Sequence, residues 1–188
     1  MRILQAMAGA PHGGAEAFFV RLIGALERAG VEQQVLIRKN IDRAKKLRQA
    51  GVEPREFKFG GKLDWRTPWQ IKKEIENFKP DIVLSWMNRA TAMCPQGEFI
   101  HASRLGGYYD LKYYESCDHL IGNTQDIVSY IVEQGWPEEK VHYLPNFVTS
   151  DLEKPILRQE FYTPVSAPLF LCMGRLHENK GFDTMLKA

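Results

Sequence analysis

Short apolar runs alternate with helical repeats across the first 150 residues, and this alternation restricts the fold more than any other feature of the sequence. Asp81-Ile82-Val83-Leu84-Ser85-Trp86 is the clearest run, with consecutive apolar residues, as in a strand covered on both faces. Ile3 to Met7 is a second. It leads into a glycine-rich turn, Gly9 to Gly14, and then a helical repeat of Ala15, Phe18, Phe19, Leu22, Ile23, Leu26 and Ala29 that Gly30 ends. Further strands are predicted at Val35 to Ile37, Phe99 to His101, His119 to Ile121 and Val141 to Leu144. Helices are predicted around Ile41 to Leu47, from Pro68 to Phe78, over Tyr108 to Ser116, and from a Thr124 cap to Gly135. Pro80 stops the helix before the central strand. The fold class expected is α/β: a Rossmann-like, open, mostly parallel sheet flanked by helices.

The pattern weakens from Asp151 to Pro168, which reads as a linker. Leu169 to Gly174 then looks like a fresh first strand, and Phe182 to Ala188 like the start of its helix. The expected division is 1–150 for the first domain, 151–167 for the linker, and 168–188 for the truncated start of a second Rossmann-like domain. A strand and two helical turns cannot bury a core of their own.

Composition removes several classes of function. No stretch approaches the roughly 18 apolar residues of a membrane span, and the opening MRILQAM is too short for a secretory signal. Cys94, Cys117 and Cys172 are odd in number and far apart, which fits a reducing, cytoplasmic setting and neither a disulfide framework nor a zinc site. The net charge is +2, but Arg38 to Lys79 holds thirteen Lys or Arg against six Asp or Glu. Such a field suits an anionic membrane surface as well as an ordinary solvated one. It lacks the interleaved aromatics or recognition helix of a nucleic-acid binder, so no nucleic acid is expected. Oligomeric state is not legible.

Ligands of open α/β sheets bind beyond the carboxyl ends of the strands. The turn containing Gly13 and Gly14 lies at such an end and feeds a helix N-terminus, where free amides hold negative charge. Any tight βα turn has the same look. The glycines do not match GxGxxG, no acidic residue ends the second strand, and no GxxxxGK is present, so dinucleotide and P-loop fingerprints are both missing. His12 and His101 each fall at the end of a proposed strand, where a neutral imidazole can meet a sugar hydroxyl; a satisfied loop histidine is the competing reading. Trp86 is placed to stack on a sugar or to be partly buried. Asp110 is placed to orient His101, bind hydroxyls or cap a helix. Arg175 and Lys180 flank a second strand–turn–helix start and together can neutralise a diphosphate. No metal-ligating cluster or DxD occurs, and no cofactor is implied.

GGAE at Gly13 to Glu16, IGNT at Ile121 to Thr124, LPNFV at Leu144 to Val148, and MGRLHENKGFDTMLKA at Met173 to Ala188 resemble the retaining glycosyltransferases of family 4. The resemblance implies the GT-B architecture of two Rossmann-like domains and a nucleotide-diphosphate sugar as donor substrate. It places Gly13 and Gly14 near the donor phosphates, Glu16 of the same motif against substrate, and Asn146 on the hinge side of the cleft. It makes Arg175 and Lys180 the cations beside the departing diphosphate, and His101 the nearest match to a histidine that contacts the sugar. The family's pair of glutamates falls beyond Ala188, so the chain as it stands is expected to be inactive. RLGGYYDLKYY resembles bacterial surface-glycan enzymes, implying a glycan or lipid-linked acceptor, as in lipopolysaccharide synthesis, and a cytoplasmic protein peripheral to the membrane. A non-catalytic nucleotide- or glycan-binding module and an NAD-using epimerase are the competing functions.

Overall fold

The structure, a computed structural model, describes residues 1–61, 63–148, 154–174 and 176–187. It divides into a unit of Met1–Val148 and a short unit of Thr149–Ala188. The larger unit runs β1 (Arg2–Met7), α1 (Gly14–Arg28), β2 (Glu32–Arg38), α2 (Ile41–Gln49), β3 (Arg55–Phe57), α3 (Arg66–Phe78), β4 (Ile82–Trp86), α4 (Met87–Thr91), β5 (Ile100–Leu105), β6 (His119–Gly122), α5 (Gln125–Glu133) and β7 (Val141–Tyr143). Its seven strands pair in parallel in the order β3-β2-β1-β4-β5-β6-β7. The order reverses between β1 and β4, which opens a crevice at their carboxyl ends.

Strand alternation sends the core to both faces. Ile3, Met7, Val35, Ile37, Leu84 and Trp86 pack against Phe18, Phe19, Leu22 and Ile23 of α1 and Leu47 of α2. Leu4, Ala6, Leu36 and Val83 face the other way, against Ile71 of α3 and Ala90 of α4. A third cluster joins Leu105, Tyr114, Leu120, Ile127, Ile131 and Val141 under α5. Gln5, buried on the first face, is satisfied there: its amide donates to Gln33 Oε1 at 2.8 Å and accepts from Trp86 Nε1 at 3.3 Å.

The parallel α/β sheet matches the sequence pattern, and several boundaries differ for local reasons. β2 begins three residues early because Gln33 and Gln34 complete its register with β1 despite their polarity. β3 is a three-residue edge strand, Arg-Glu-Phe, with no apolar run to announce it. Residues 108–116 do not form the expected helix. They contain one 3₁₀ turn, Leu111–Tyr113, because the Asp110 carboxylate accepts from Lys112 N at 3.1 Å and competes with helical bonding. Thr124 caps α5 as expected, accepting from Ile127 N at 3.1 Å. In the shorter unit the expected strand at 169–174 is not formed: a strand needs a ladder partner, and the described residues there have none. The helix that follows, α6 (Phe182–Lys187), is present. No helix among the described residues is long and apolar enough to cross a membrane.

Candidate functional site

The crevice at the switch point is a cleft of about 830 Å³. Ala8 and Ala10 after β1, Arg38 at the end of β2, Met87, Asn88 and Arg89 after β4, the Gly60-Gly61 loop and Tyr113 line it, with Glu16 at its floor. The two arginines bring cationic, bidentate donors to a place where a ligand meets strand ends. Arg89 is exposed and has one long contact, Nη1 to Phe59 O at 3.5 Å. A larger open hollow, about 970 Å³, lies at the amino-terminal edge of β4 and β5, between Lys79, Asp81 and Phe99. It is at the wrong end of the sheet for the usual ligand geometry of this fold.

Glu16 explains the glycines of the first turn. It lies in the first turn of α1 but is only 8% exposed, because its carboxylate folds back beneath the loop and accepts from Ala10 N at 2.7 Å. A Cβ on Gly9 would meet Glu16 Cγ and Oε1 at 2.8 Å, and one on Gly13 would overlap Glu16 Oε2. Arg43 of α2, 4% exposed, reaches the same loop and donates to Ala10 O. Burial lowers the Arg43 pKa while the charge of Glu16 raises it. The buried carboxylate and guanidinium thus tie down a loop whose residues Ala10 to His12 are exposed. Gly13 is the N-cap of α1 without a side-chain cap, so the first amides of α1 have no side-chain acceptor from that position. His12 is exposed beside this turn, on a hollow of about 410 Å³ shared with Gly13 and Arg43.

The remaining sites read from the sequence do not converge on the cleft. His101 is not at a carboxyl end: β5 starts at Ile100 and runs on to Leu105, so His101 is the second residue of the strand and is buried. Its Nε2 lies 3.0 Å from Ser85 Oγ, which in turn meets Thr91 Oγ1 at 2.9 Å, and Cys117 Sγ is 3.8 Å from Nδ1. Trp86 ends β4 but turns inward, 1% exposed, with its ring edge-on to Phe19 at 5.1 Å. No face is free for a sugar. Asp110 is exposed and bonded to Lys112 at 2.5 Å, not to His101. Asn146 follows β7 and accepts from Arg104 Nη2 at 2.7 Å. Lys180 is exposed in a 3₁₀ turn, Glu178–Lys180, of the shorter unit, and Arg175 lies outside the described residues. Sequence reasoning missed Arg43 and Arg104. Arg43 is one of many basic residues on a basic helix, and nothing in the sequence marks it as the one that turns inward.

Arg104 has the least ordinary setting. It is 2% exposed and has no carboxylate partner among the described residues. Its guanidinium lies 4.4 Å from the centre of the Phe18 ring and 5.1 Å from that of Trp86, and it donates to Leu144 O and Asn146 Oδ1. Burial pulls its pKa down to about 10, so at neutral pH its charge is a desolvation cost that these contacts offset. His101 behaves similarly: burial is the main cause lowering its pKa from 6.5, against raising effects from the Ser116 backbone and Asp118. The unfolded chain therefore takes up this proton at higher pH than the folded one. The His101 contribution to stability is complete above pH 6.5 and declines as pH falls toward the folded pKa. A thermal melt series from pH 7.5 to 5 should show a falling Tm, with the fall smaller in His101→Gln; equal slopes would count against a buried neutral imidazole.

The sequence profile of Glycosyltransferase Family 4 matches residues 12–152. Two lipopolysaccharide core biosynthesis glycosyltransferases of Rhizobium meliloti (strain 1021) are similar in sequence. LpsE is 34% identical over 185 residues and LpsD 32% over 179, each match covering 94% of this chain and 52% of the relative. The chain thus spans about half the length of the curated relatives it matches. Among solved structures, a glycosyltransferase from Rickettsia africae ESF-5 aligns with a TM-score of 0.63 at 17% identity, covering 77% of this chain and 42% of that one. Anabaena Alr3699/HepE, solved in complex with UDP, aligns at 0.59 and 14%, covering 78% and 44%. The UDP-GlcNAc 2-epimerase of Neisseria meningitidis, bound to UDP-GlcNAc, also aligns at 0.59, with 15% identity and coverage of 76% and 45%. The half-fold is therefore shared by different reactions, and the distinction comes from sequence. With the profile matching three-quarters of its length over an open parallel sheet of GT-B type, this chain belongs to Glycosyltransferase Family 4.

Proposed function

We propose that this chain is the acceptor-side half of a retaining glycosyltransferase. The complete enzyme would move a sugar from a nucleoside-diphosphate sugar to a glycan or lipid-linked acceptor, such as a lipopolysaccharide core, at the cytoplasmic face of a membrane. The observation that carries the reading is the cleft at the β1/β4 switch point, whose lining residues, apart from Ala8 and Ala10, lie in the part of the chain that matches the family. The relatives' role in lipopolysaccharide core synthesis supports the acceptor class, and the UDP in the complex with Alr3699/HepE supports the donor class.

In this reading Arg38, Asn88 and Arg89 bind and orient the acceptor's hydroxyl or phosphate groups. Glu16 and Arg43 hold the first turn, so that Gly13, Gly14 and the uncapped start of α1 can lie against an anionic group. Asn146, positioned by Arg104, stands at the exit of the sheet. Lys180 and Arg175 keep the role of diphosphate cations, with no protein-bound metal or cofactor. His12, exposed beside the turn, takes the place of His101 as the histidine able to meet a ligand. Buried and bonded, His101 and Trp86 act through the core instead.

The test is a chimera in which Met1–Val148 replaces the matching half of LpsE, assayed for sugar transfer to purified core oligosaccharide. Transfer is expected. Arg89→Ala should lower kcat/KM by roughly tenfold or more, as loss of a charge-assisted contact does, while nucleotide binding stays unchanged. A folded chimera that binds nucleotide yet transfers to no core acceptor would overturn the acceptor assignment. The 188-residue chain alone should release no nucleotide from a sugar donor above background.

A further inference from the structure

Large apolar side chains seldom stand in the open on a folded surface, and a cluster of them marks a surface that something else covers. Leu63, Trp65 and Trp69 are 94%, 70% and 59% exposed within seven residues of sequence. They project where the loop after Phe59 enters α3. The helix explains the grouping. Ile71, Ile75 and Phe78 turn toward the core, whereas Trp65, Trp69 and Lys73 follow one another at four-residue spacing along the outer face.

Cations accompany the aromatic rings. Arg66 lies 5.5 Å from the centre of the Trp65 ring and Lys73 5.7 Å from that of Trp69, and exposed Lys58 stands at the start of the loop. Two acids follow along α3: Glu74, half-buried, and Glu76, exposed and engaged by Lys72 at 4.0 Å. Asp64, the acid within the loop, is consumed in holding it: its oxygens accept from Gly60 N at 2.6 Å, Thr67 Oγ1 at 2.7 Å and Thr67 N at 3.1 Å. The hydrogen bond from Thr67, then that from Gly60, keep its pKa low, at about 2. Phe59, fully buried, anchors the base of the loop. Leu63 and Trp65 are therefore displayed by a tied loop.

We propose that this face, with Leu63, Trp65 and Trp69 set among Lys58, Arg66 and Lys73, docks the protein on an anionic lipid surface. Tryptophan rings and a leucine enter the headgroup boundary while the cations meet lipid phosphates. A second copy of this chain is a poorer occupant, since a two-fold interface would bring the same cations together. The position of the patch gives it a use. Gly60, Gly61 and Asp64 belong both to the hollow beneath the patch and to the wall of the switch-point cleft, so docking here sets the cleft mouth beside the lipid surface. The inference deepens the proposed function by naming the surface that meets a lipid-borne acceptor, and it rests on that reading for its purpose but not for its test.

The test is flotation of the chain with phosphatidylcholine vesicles, pure or containing phosphatidylglycerol. Binding is expected with the anionic vesicles, weakened in high salt, with a blue shift of tryptophan emission. Each cation near such a surface is worth roughly fivefold in partitioning. Replacing Lys58, Arg66 and Lys73 with glutamine together should therefore lower it by about 100-fold, and Trp65→Ser with Trp69→Ser by roughly tenfold or more. All five positions are exposed, and unchanged circular dichroism confirms that the variants fold. Equal flotation with neutral and anionic vesicles, or full binding by the double tryptophan variant, would overturn the proposal. So would concentration-dependent dimerisation of the wild type that the tryptophan variant abolishes. Vesicle binding involves no transfer step, so its failure leaves the transferase reading standing, and an inactive chimera leaves the patch standing.

Discussion

Arg104→Ala is expected to destabilise the larger unit by about 2–4 kcal/mol, the range for truncating a large buried side chain. In a chain of this size that lowers Tm by roughly 5–15 °C. Three losses act together: the stacked contact between Phe18 and Trp86, the bonds to Leu144 O and Asn146 Oδ1, and the filled volume at the end of β5. Relief of the desolvated charge offsets part of this. Arg104→Met separates the effects, because it keeps apolar volume between the rings and removes both the charge and the donors. Its cost should be under half that of alanine. Yet it should free residues 144–147, which Arg104 and the Phe18–Phe147 ring contact at 5.0 Å hold to the sheet. Faster chymotryptic cleavage near Tyr143 or Phe147 in the methionine variant would report that release. An alanine variant as stable as wild type in urea would show that the buried guanidinium holds nothing.

The second large effect is at the first turn. Gly13 has an extended backbone, φ 173°, so alanine meets no conformational penalty there. What it meets is Glu16 Oε2, within overlapping distance of the new methyl group. Gly13→Ala should cost about 1–3 kcal/mol, as overpacking of a tight site does. Glu16→Ala should cost a similar amount by removing the acceptor of Ala10 N and the charge beside Arg43, since bonds to charged groups contribute about 1.5–3 kcal/mol. The pair is not additive. Once Glu16 is truncated, the methyl group on residue 13 has space, and Gly13→Ala should become nearly neutral. Urea unfolding of the four-member cycle measures this coupling, expected near 1–2 kcal/mol. Additivity within about 0.5 kcal/mol would mean that the carboxylate does not occupy the space beneath the turn. The same cycle in the LpsE chimera would show whether the shape of this turn also governs transfer.

These two sites show why fold and site were unequally legible. The strands β1, β4, β6 and β7 and the helices α1, α2 and α5 followed from apolar runs, caps and glycine stops, all local signals that survive in one dimension. Their alternation implied a parallel sheet without giving its strand order. The three-residue β3 and the five-residue α4 carry no such signal. The Gly13-Gly14 turn was also visible, but its reason was not. In sequence its glycines suggest room for a ligand, whereas in the fold Gly9 and Gly13 make room for a side chain of the protein itself.

His101 and Trp86 were misplaced for one physical reason: a strand's carboxyl end and the face its side chains take are set by register with neighbouring strands, and register is a long-range property. By itself, the sequence determined the α/β class, the family motifs and the excess of cations between Arg38 and Lys79. Only the tertiary structure decided that Arg43 and Arg104 turn inward, that Arg89 is left to face the cleft, and that two tryptophans stand outside among lysines and arginines. Identical residue types met opposite fates because burial depends on what the rest of the chain brings against each side chain.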